Sequence, residues 1–175
     1  RLSYVTRAQQ TGLLDEQVFC AFLGTLPRED YVPYVADFFL QLEDVKWTVI
    51  SGIVSDTLVV SVRNLGYARN AGDFVRRFFS DIGSAGGHRA MAKAIVPLDA
   101  FRARFGTLNE REMTNKIHEL ISQFLRESGS GEKKTSLPAA RGTMIRHGPG
   151  PRKRSRRTAA KAVVNAGVWA IGPRR

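Results

Sequence analysis

The sequence predicts an α/β domain in which helices pack against a sheet, followed by a basic tail. Short segments rich in Val, Ile and Phe alternate with segments whose apolar residues recur at helical spacing. Hydrophobic residues make up 43% of the 175 residues, enough for the packed core of one ordinary domain. The composition changes abruptly near residue 128, where Gly, Ser, Pro and Arg replace the apolar residues.

The positive charge of the chain is concentrated in the tail. The whole chain carries a formal net charge of +11, of which residues 1–126 contribute +1 and residues 127–175 contribute +10. The domain itself is therefore nearly neutral. Few apolar residues and runs of like charge predict that residues 128–175 are a disordered, low-complexity tail.

This tail has two interpretations. Lys and Arg neutralise phosphates without reading sequence, so the chain could be a non-enzymatic nucleic-acid-binding or regulatory module that uses its tail. The tail could instead be a solvated appendage or the product of out-of-frame translation. The abrupt change in composition favours the second interpretation.

No segment reaches the roughly 18 apolar residues of a membrane span, and the first residues lack the basic, apolar and small-residue pattern of a signal peptide. Cys20 is the only cysteine, which excludes an intramolecular disulfide. We expect a cytoplasmic protein without membrane contact. The sequence begins with Arg1 rather than Met, so we expect residues 1–17 to be a linker helix from a preceding domain and residues 18–127 to be the domain described below.

Residues 18–23 are apolar, β-branched and aromatic, and they predict a buried strand. A helix is expected to start within residues 25–30, with Phe38 and Phe39 in the core. Residues 47–54 and 57–63 flank Ser-Asp and predict a hairpin with a tight turn.

Three further elements complete the predicted domain. A helix opens at Asn70 or Ala71, and Phe74, Val75, Phe78 and Phe79 form its apolar face. Residues 91–98 predict a strand. Residues 108–126 predict a second amphipathic helix, which Thr107 or Asn109 could cap.

The segment from Gly83 to Arg89 (Gly-Ser-Ala-Gly-Gly-His-Arg) predicts an anion-binding loop between these elements. Glycine permits close approach of the backbone, and consecutive amides can line a concavity for an anion. His88 and Arg89 can add charge-assisted hydrogen bonds. Arg63 lies at the exit of an apolar strand, where binding residues are common, although a solvated charge there and at Arg89 is the alternative.

Two segments resemble the DHHA1 domain, the C-terminal substrate-binding domain of the DHH phosphoesterases. Residues 61–64 (Ser-Val-Arg-Asn) resemble its Ser-x-Arg-Ser strand end, and residues 86–92 (Gly-Gly-His-Arg-Ala-Met-Ala) resemble its Gly-Gly-Gly-His-x-x-Ala-Ala-Gly segment. Ala85 replaces the first Gly, and Lys93 replaces the last. The resemblance covers about residues 18–98 and is strongest to the oligoribonuclease and phosphoadenosine-phosphate phosphatase subgroup, often called exopolyphosphatase-like.

The resemblance implies a mixed sheet of about five strands flanked by helices. It also implies that Arg63, His88 and the amides of Gly86 and Gly87, with Arg89 beside them, hold a phosphate of the substrate. The substrate would be a short oligonucleotide, a nucleoside bisphosphate or polyphosphate. In this family a separate DHH domain cuts the substrate with manganese-activated water, so we expect that domain as a partner, and a homodimer is possible.

The chain itself lacks the metal-binding motifs of the family. Its histidines are His88, His118 and His147, and neither Asp-His-His nor Asp-x-Asp occurs. We therefore expect no catalytic residue, metal site or cofactor in this chain, and no hydrolysis by this chain alone.

Overall fold

The computed structural model describes residues 1–66 and 68–127. The tail from residue 128 onwards, with both interpretations of it, lies outside the described residues. The described part forms helices and strands in this order: α1 Leu2–Thr11, β1 Leu13–Asp15, β2 Val18–Leu26, α2 Tyr31–Phe39, β3 Trp47–Val54, β4 Thr57–Asn64, α3 Ala71–Phe79, β5 Ser84–Gly87, β6 Met91–Pro97, α4 Leu98–Phe105 and α5 Glu110–Glu127.

The strands form one mixed sheet in the order β1-β2-β3-β4-β6-β5. β2 and β3 are parallel, and the other neighbours are antiparallel. The predicted α/β class with a mixed sheet is confirmed, and the described residues contain six strands where about five were expected. The two edge strands, β1 and β5, are short and have no strong sequence pattern.

Helices cover the two faces of the sheet and create two cores. On one face α3, α4 and α5 pack over alternate residues of β2, β3, β4 and β6, with Phe74 and Phe79 fully buried. On the other face α1 and α2 pack over β2, β3 and Val59 of β4. Because α2 reaches only as far as β4, the β6 and β5 end of this second face has no helix of the described chain over it.

The second helix differs from its prediction in both start and register. β2 continues to Leu26, because Pro27 disfavours helical backbone at the residue before it. α2 begins only at Tyr31. Phe38 was expected in the core, but it is 41% exposed, whereas Phe39 is buried. Two apolar stripes with the same helical period share this segment, and the sheet buries the one formed by Val32, Val35, Ala36 and Phe39.

Residues 1–17 contain more than the linker helix that we expect from the sequence. Val5 and Ala8 of α1 are buried in the second core, and β1 pairs with β2 in the register Leu13 to Cys20. The expected domain boundary at residue 18 therefore falls between two hydrogen-bonded strands. These residues belong to the same folded unit as the sheet.

The hairpin and the two amphipathic helices match their predictions. Val54 pairs with Thr57 across the two-residue turn. The Asn70 side chain caps α3 by accepting hydrogen bonds from the amides of Gly72 and Asp73. Asn109 and Glu112 exchange side-chain to backbone hydrogen bonds of 2.7 and 2.9 Å at the start of α5, which is a capping box. In the described part of the chain, no helix is both long and apolar enough to span a bilayer.

Substitution of two phenylalanines tests these packing assignments. We expect Phe74→Ala to lower the free energy of unfolding by about 3–5 kcal/mol, because it empties a fully buried site. The matched change Phe38→Ala is expected to cost less than about 1 kcal/mol, because Phe38 is 41% exposed and lies outside the core. Urea unfolding followed by circular dichroism measures both. Equal losses would place Phe38 in the core and contradict the register of α2.

Candidate functional site

The segment predicted as a glycine loop is mostly a strand. Residues 84–87 form β5, which pairs with β6 so that Gly86 lies opposite Lys93 and Gly87 opposite Ala92. A loop was expected because Ser-Ala-Gly-Gly has little strand propensity. Backbone pairing and close packing, rather than side-chain contacts, stabilise this strand.

Two glycines allow that close packing. A Cβ on Gly72, in the first turn of α3, would lie 2.5 Å from the carbonyl oxygen of Gly87. Gly87 itself has φ +148°, and a Cβ there would lie 2.4 Å from the Cα of Ala92. Neither position can accept a side chain unless the neighbouring backbone moves. Gly72 therefore lets α3 approach β5, and Gly87 lets β5 approach β6.

Hydrogen bonds fasten the tip of the β5–β6 hairpin, residues 88–90. The His88 amide donates to the carbonyl of Met91 over 2.8 Å, which closes the turn. The carbonyls of residues 88 and 89 accept from the first amides of α3, at Gly72 and Ala71. These contacts hold the tip in one orientation.

Asn64, the last residue of β4, is buried and also holds this tip. Its backbone amide donates to the carbonyl of Ala90, and its side-chain amide donates to the carbonyls of Arg69 and Arg89 over 2.9 and 3.2 Å. Its side-chain oxygen accepts from the amide of Gly66. Asn64 therefore joins the strand that carries Arg63 to the turn that carries His88.

A pocket of about 300 Å³ lies on the open part of the sheet, beside α2. It brings together four of the five predicted binding residues, Arg63, Gly86, Gly87 and His88. The remaining lining residues come from α2, β4 and β6: Pro33, Val59, Ser61, Met91, Ala92 and Lys93. Two sequence motifs that are separated in the chain thus meet at one concave surface.

Arg89 does not line this pocket. It borders a separate depression on the other side of the hairpin tip, together with Arg69, Asn70 and Asp73. Successive residues of a tight turn point in different directions, so His88 and Arg89 serve different surfaces. The structure therefore separates Arg89 from the other four predicted residues.

The guanidinium of Arg63 is held by the chain itself. Its side chain is 14% exposed. Nη1 donates to Ser61 Oγ over 3.0 Å and to the carbonyl of Val62 over 3.2 Å. Nε donates to Asp37 Oδ1 over 2.5 Å, and Nη2 lies 3.5 Å from Asp37 Oδ2. The alternative of a solvated strand-end charge does not hold for Arg63, because this cation is fixed and largely buried.

His88 is the most accessible polar residue of the pocket. It is exposed, and its imidazole makes no hydrogen bond within residues 1–66 and 68–127. Pro33, Val59 and Met91 give the pocket an apolar portion beside these polar groups. The arrangement can place a negatively charged group at His88 and an organic group against the apolar wall.

Sequence reasoning missed three polar residues here. Ser61 and Lys93 follow the two-residue alternation of β4 and β6, because each lies two positions from a residue already considered, Arg63 or Met91. That alternation is a signal that could have found both. Asp37 lies on the exposed side of α2 and has no sequence signal that connects it to Arg63.

The described residues do not fit a manganese centre. In that part of the chain no three His, Cys, Asp or Glu side chains gather closely enough to hold a metal ion. The two permanent cations that line the pocket, Arg63 and Lys93, repel a divalent cation. Burial raises the pKa of the Cys20 thiol, which keeps this residue neutral within the core.

Comparison with known proteins identifies a related sequence and solved structures that resemble this chain. No protein-family model matches the sequence. An uncharacterized protein of Methanocaldococcus jannaschii, MJ1633, is 31% identical over 99 residues, which are 57% of this chain and 19% of that protein. An exopolyphosphatase-related protein of Bacteroides fragilis aligns over 76% of this chain and 36% of its own chain, with 13% identity and a TM-score of 0.54.

The C-Ala domain of alanyl-tRNA synthetase from Aquifex aeolicus aligns over 53% of this chain and 93% of its own, with 14% identity and a TM-score of 0.41. The likeness to the Bacteroides fragilis protein is one of fold, and it is consistent with a DHHA1-like domain. The predicted resemblance is confirmed at that level. The chain spans about a fifth of MJ1633 and about a third of the Bacteroides fragilis protein.

Two alanine substitutions separate the roles of the paired glycines. We expect Gly87→Ala to lower the free energy of unfolding by about 2 kcal/mol or more, because its φ and the Ala92 backbone exclude a Cβ. A Cβ on Gly86 would meet no atom of the described residues within 4 Å, so Gly86→Ala is expected to cost about 0.5 kcal/mol or less. Chemical denaturation compares the two, and similar losses would contradict this hairpin geometry.

Proposed function

We propose that this chain provides the substrate-binding domain of a DHH-type phosphoesterase. The pocket beside α2 would receive a phosphate-bearing ligand: a short oligonucleotide, a nucleoside bisphosphate or polyphosphate. The observation that carries the proposal is the meeting of Arg63 with Gly86, Gly87 and His88 at one pocket. The fold shared with an exopolyphosphatase-related protein supports it.

The chemistry of the pocket suits capture of a phosphate at its rim. The His88 imidazole can donate a hydrogen bond to a phosphate oxygen, and Lys93 adds a second cation on the same face of the sheet. Arg63 lies deeper and contributes its fixed positive charge. Gly86 keeps the wall open, since a side chain there would project into free space.

In this proposal the domain binds and does not cut. Because no three potential ligands for manganese cluster in the described residues, hydrolysis would take place on a separate DHH domain that acts as its partner. The binding domain would then hold one end of the substrate while the other domain acts on the neighbouring phosphoester bond. Orienting the substrate in this way lowers the entropic part of the reaction barrier.

A titration with the 5′-phosphorylated dinucleotide pApA tests the binding role. We expect His88→Ala and Arg63→Gln each to weaken binding about tenfold, the loss of about 1.4 kcal/mol that removing one charged hydrogen-bonding group produces. Fluorescence anisotropy with labelled pApA, or isothermal titration calorimetry, gives the dissociation constants.

The matched controls are His118→Ala and Arg28→Gln, which remove the same side-chain types outside the pocket. Any sequence-independent attraction of pApA to the basic tail affects all variants alike and cancels in the comparison. Equal binding by wild type, His88→Ala and Arg63→Gln would contradict the assignment of the pocket.

A further inference from the structure

The cations of the pocket already have anionic partners within the chain. Asp37 of α2 pairs with Arg63, and Glu29, two residues before α2, pairs with Lys93 over 3.1 Å. We propose that these two carboxylates are built-in counter-ions of the pocket, with which a ligand phosphate must compete. This inference rests on the proposed function, and it assigns Asp37 a specificity-determining role.

The hydrogen bonds of Arg63 carry the argument. A guanidinium has five N–H groups. Those on Nη1 are directed to Ser61 and to the backbone of Val62, while Nε and one N–H of Nη2 are directed to Asp37. Within the described residues, one N–H of Nη2 is left for a ligand. Arg63 can therefore give a phosphate one hydrogen bond, and the bidentate pairing typical of arginine requires Asp37 to be displaced.

Asp37 is suited to displacement, whereas Arg63 is not. The Asp37 side chain is 57% exposed, so water can solvate it when it leaves the pair. Arg63 is largely buried and remains anchored through Ser61 and Val62, which do not depend on Asp37. An incoming phosphate can thus exchange with the carboxylate while the cation stays in place.

Lys93 and Glu29 form a weaker version of the same arrangement. Both side chains are about half exposed, at 43% and 56%, so water screens their attraction. Exchange of Glu29 for a ligand anion changes the free energy less than exchange of Asp37. The two pairs together lower the net positive charge of the pocket and penalise weakly charged anions.

This arrangement predicts that removal of the Asp37 charge strengthens phosphate binding. Asp37→Asn keeps the side-chain shape and an acceptor oxygen for Arg63 but removes the competing charge. We expect it to bind pApA about fivefold more tightly than the wild type, the ratio set by one like charge about 4 Å away in water. The gain should be smaller for ApA, which lacks the 5′-phosphate, and should shrink with added salt.

The experiment compares the full chain with Asp37→Asn, Glu29→Gln and the control Asp30→Asn. Asp30 carries the same charge at the start of α2, but its partners are Arg28 and Arg1, outside the pocket. The inference is supported if the gain for pApA is largest in Asp37→Asn, smaller in Glu29→Gln and absent in Asp30→Asn.

Four results would overturn the inference. Weaker binding by Asp37→Asn would show that Asp37 only positions Arg63, and an equal gain in Asp30→Asn would show a general effect of net charge. Unchanged binding by Asp37→Asn would show that no exchange occurs. Absence of pApA binding by the wild type and by Asp37→Asn would overturn the proposed function too, whereas the first three results leave it standing.

Discussion

The antiparallel pairing of β4 with β6 is the constraint on which the site depends. It places Arg63 opposite Met91 and Ser61 opposite Lys93. Both cations therefore lie on the same face of the sheet as α2, in the part that α2 does not cover. The short strand β5 then folds back along β6 and brings Gly86 and His88 to the same face. A shift of one residue in this pairing would turn Lys93 into the core beneath α3 and α5, because the two faces of a strand alternate.

The helices whose first residues include a capping side chain could be predicted from the sequence. Asn70 and Asn109 mark the starts of α3 and α5, and each is followed by apolar residues at helical spacing. The register of α2 could not be predicted, because two overlapping stripes satisfy the same period and only contact with the sheet selects one. β5 could not be predicted either, since its stability comes from backbone pairing and from the fit of Gly87 against α3.

The candidate site also combines features that short sequence motifs predict with features that only the folded chain determines. The meeting of Arg63 with His88 could be predicted, through a family resemblance carried by two short motifs. The separation of Arg89 from them could not, because it depends on the orientation of a turn fixed by Asn64. The pairing of Arg63 with Asp37 leaves no periodic trace in the sequence, yet it decides how much positive charge the pocket presents.

We infer that the β4 strand end and the β5–β6 hairpin tip form one binding surface. The most direct measurement is a titration of the ¹⁵N-labelled chain with pApA, followed by backbone amide chemical shifts. We expect the largest shifts in residues 61–64 and 86–93, and no shifts around a second pocket, which Phe101, Leu108 and Met113 help to line between α4 and α5. The inference would be contradicted if the largest shifts fell elsewhere in the described sheet and helices while those two segments kept their positions.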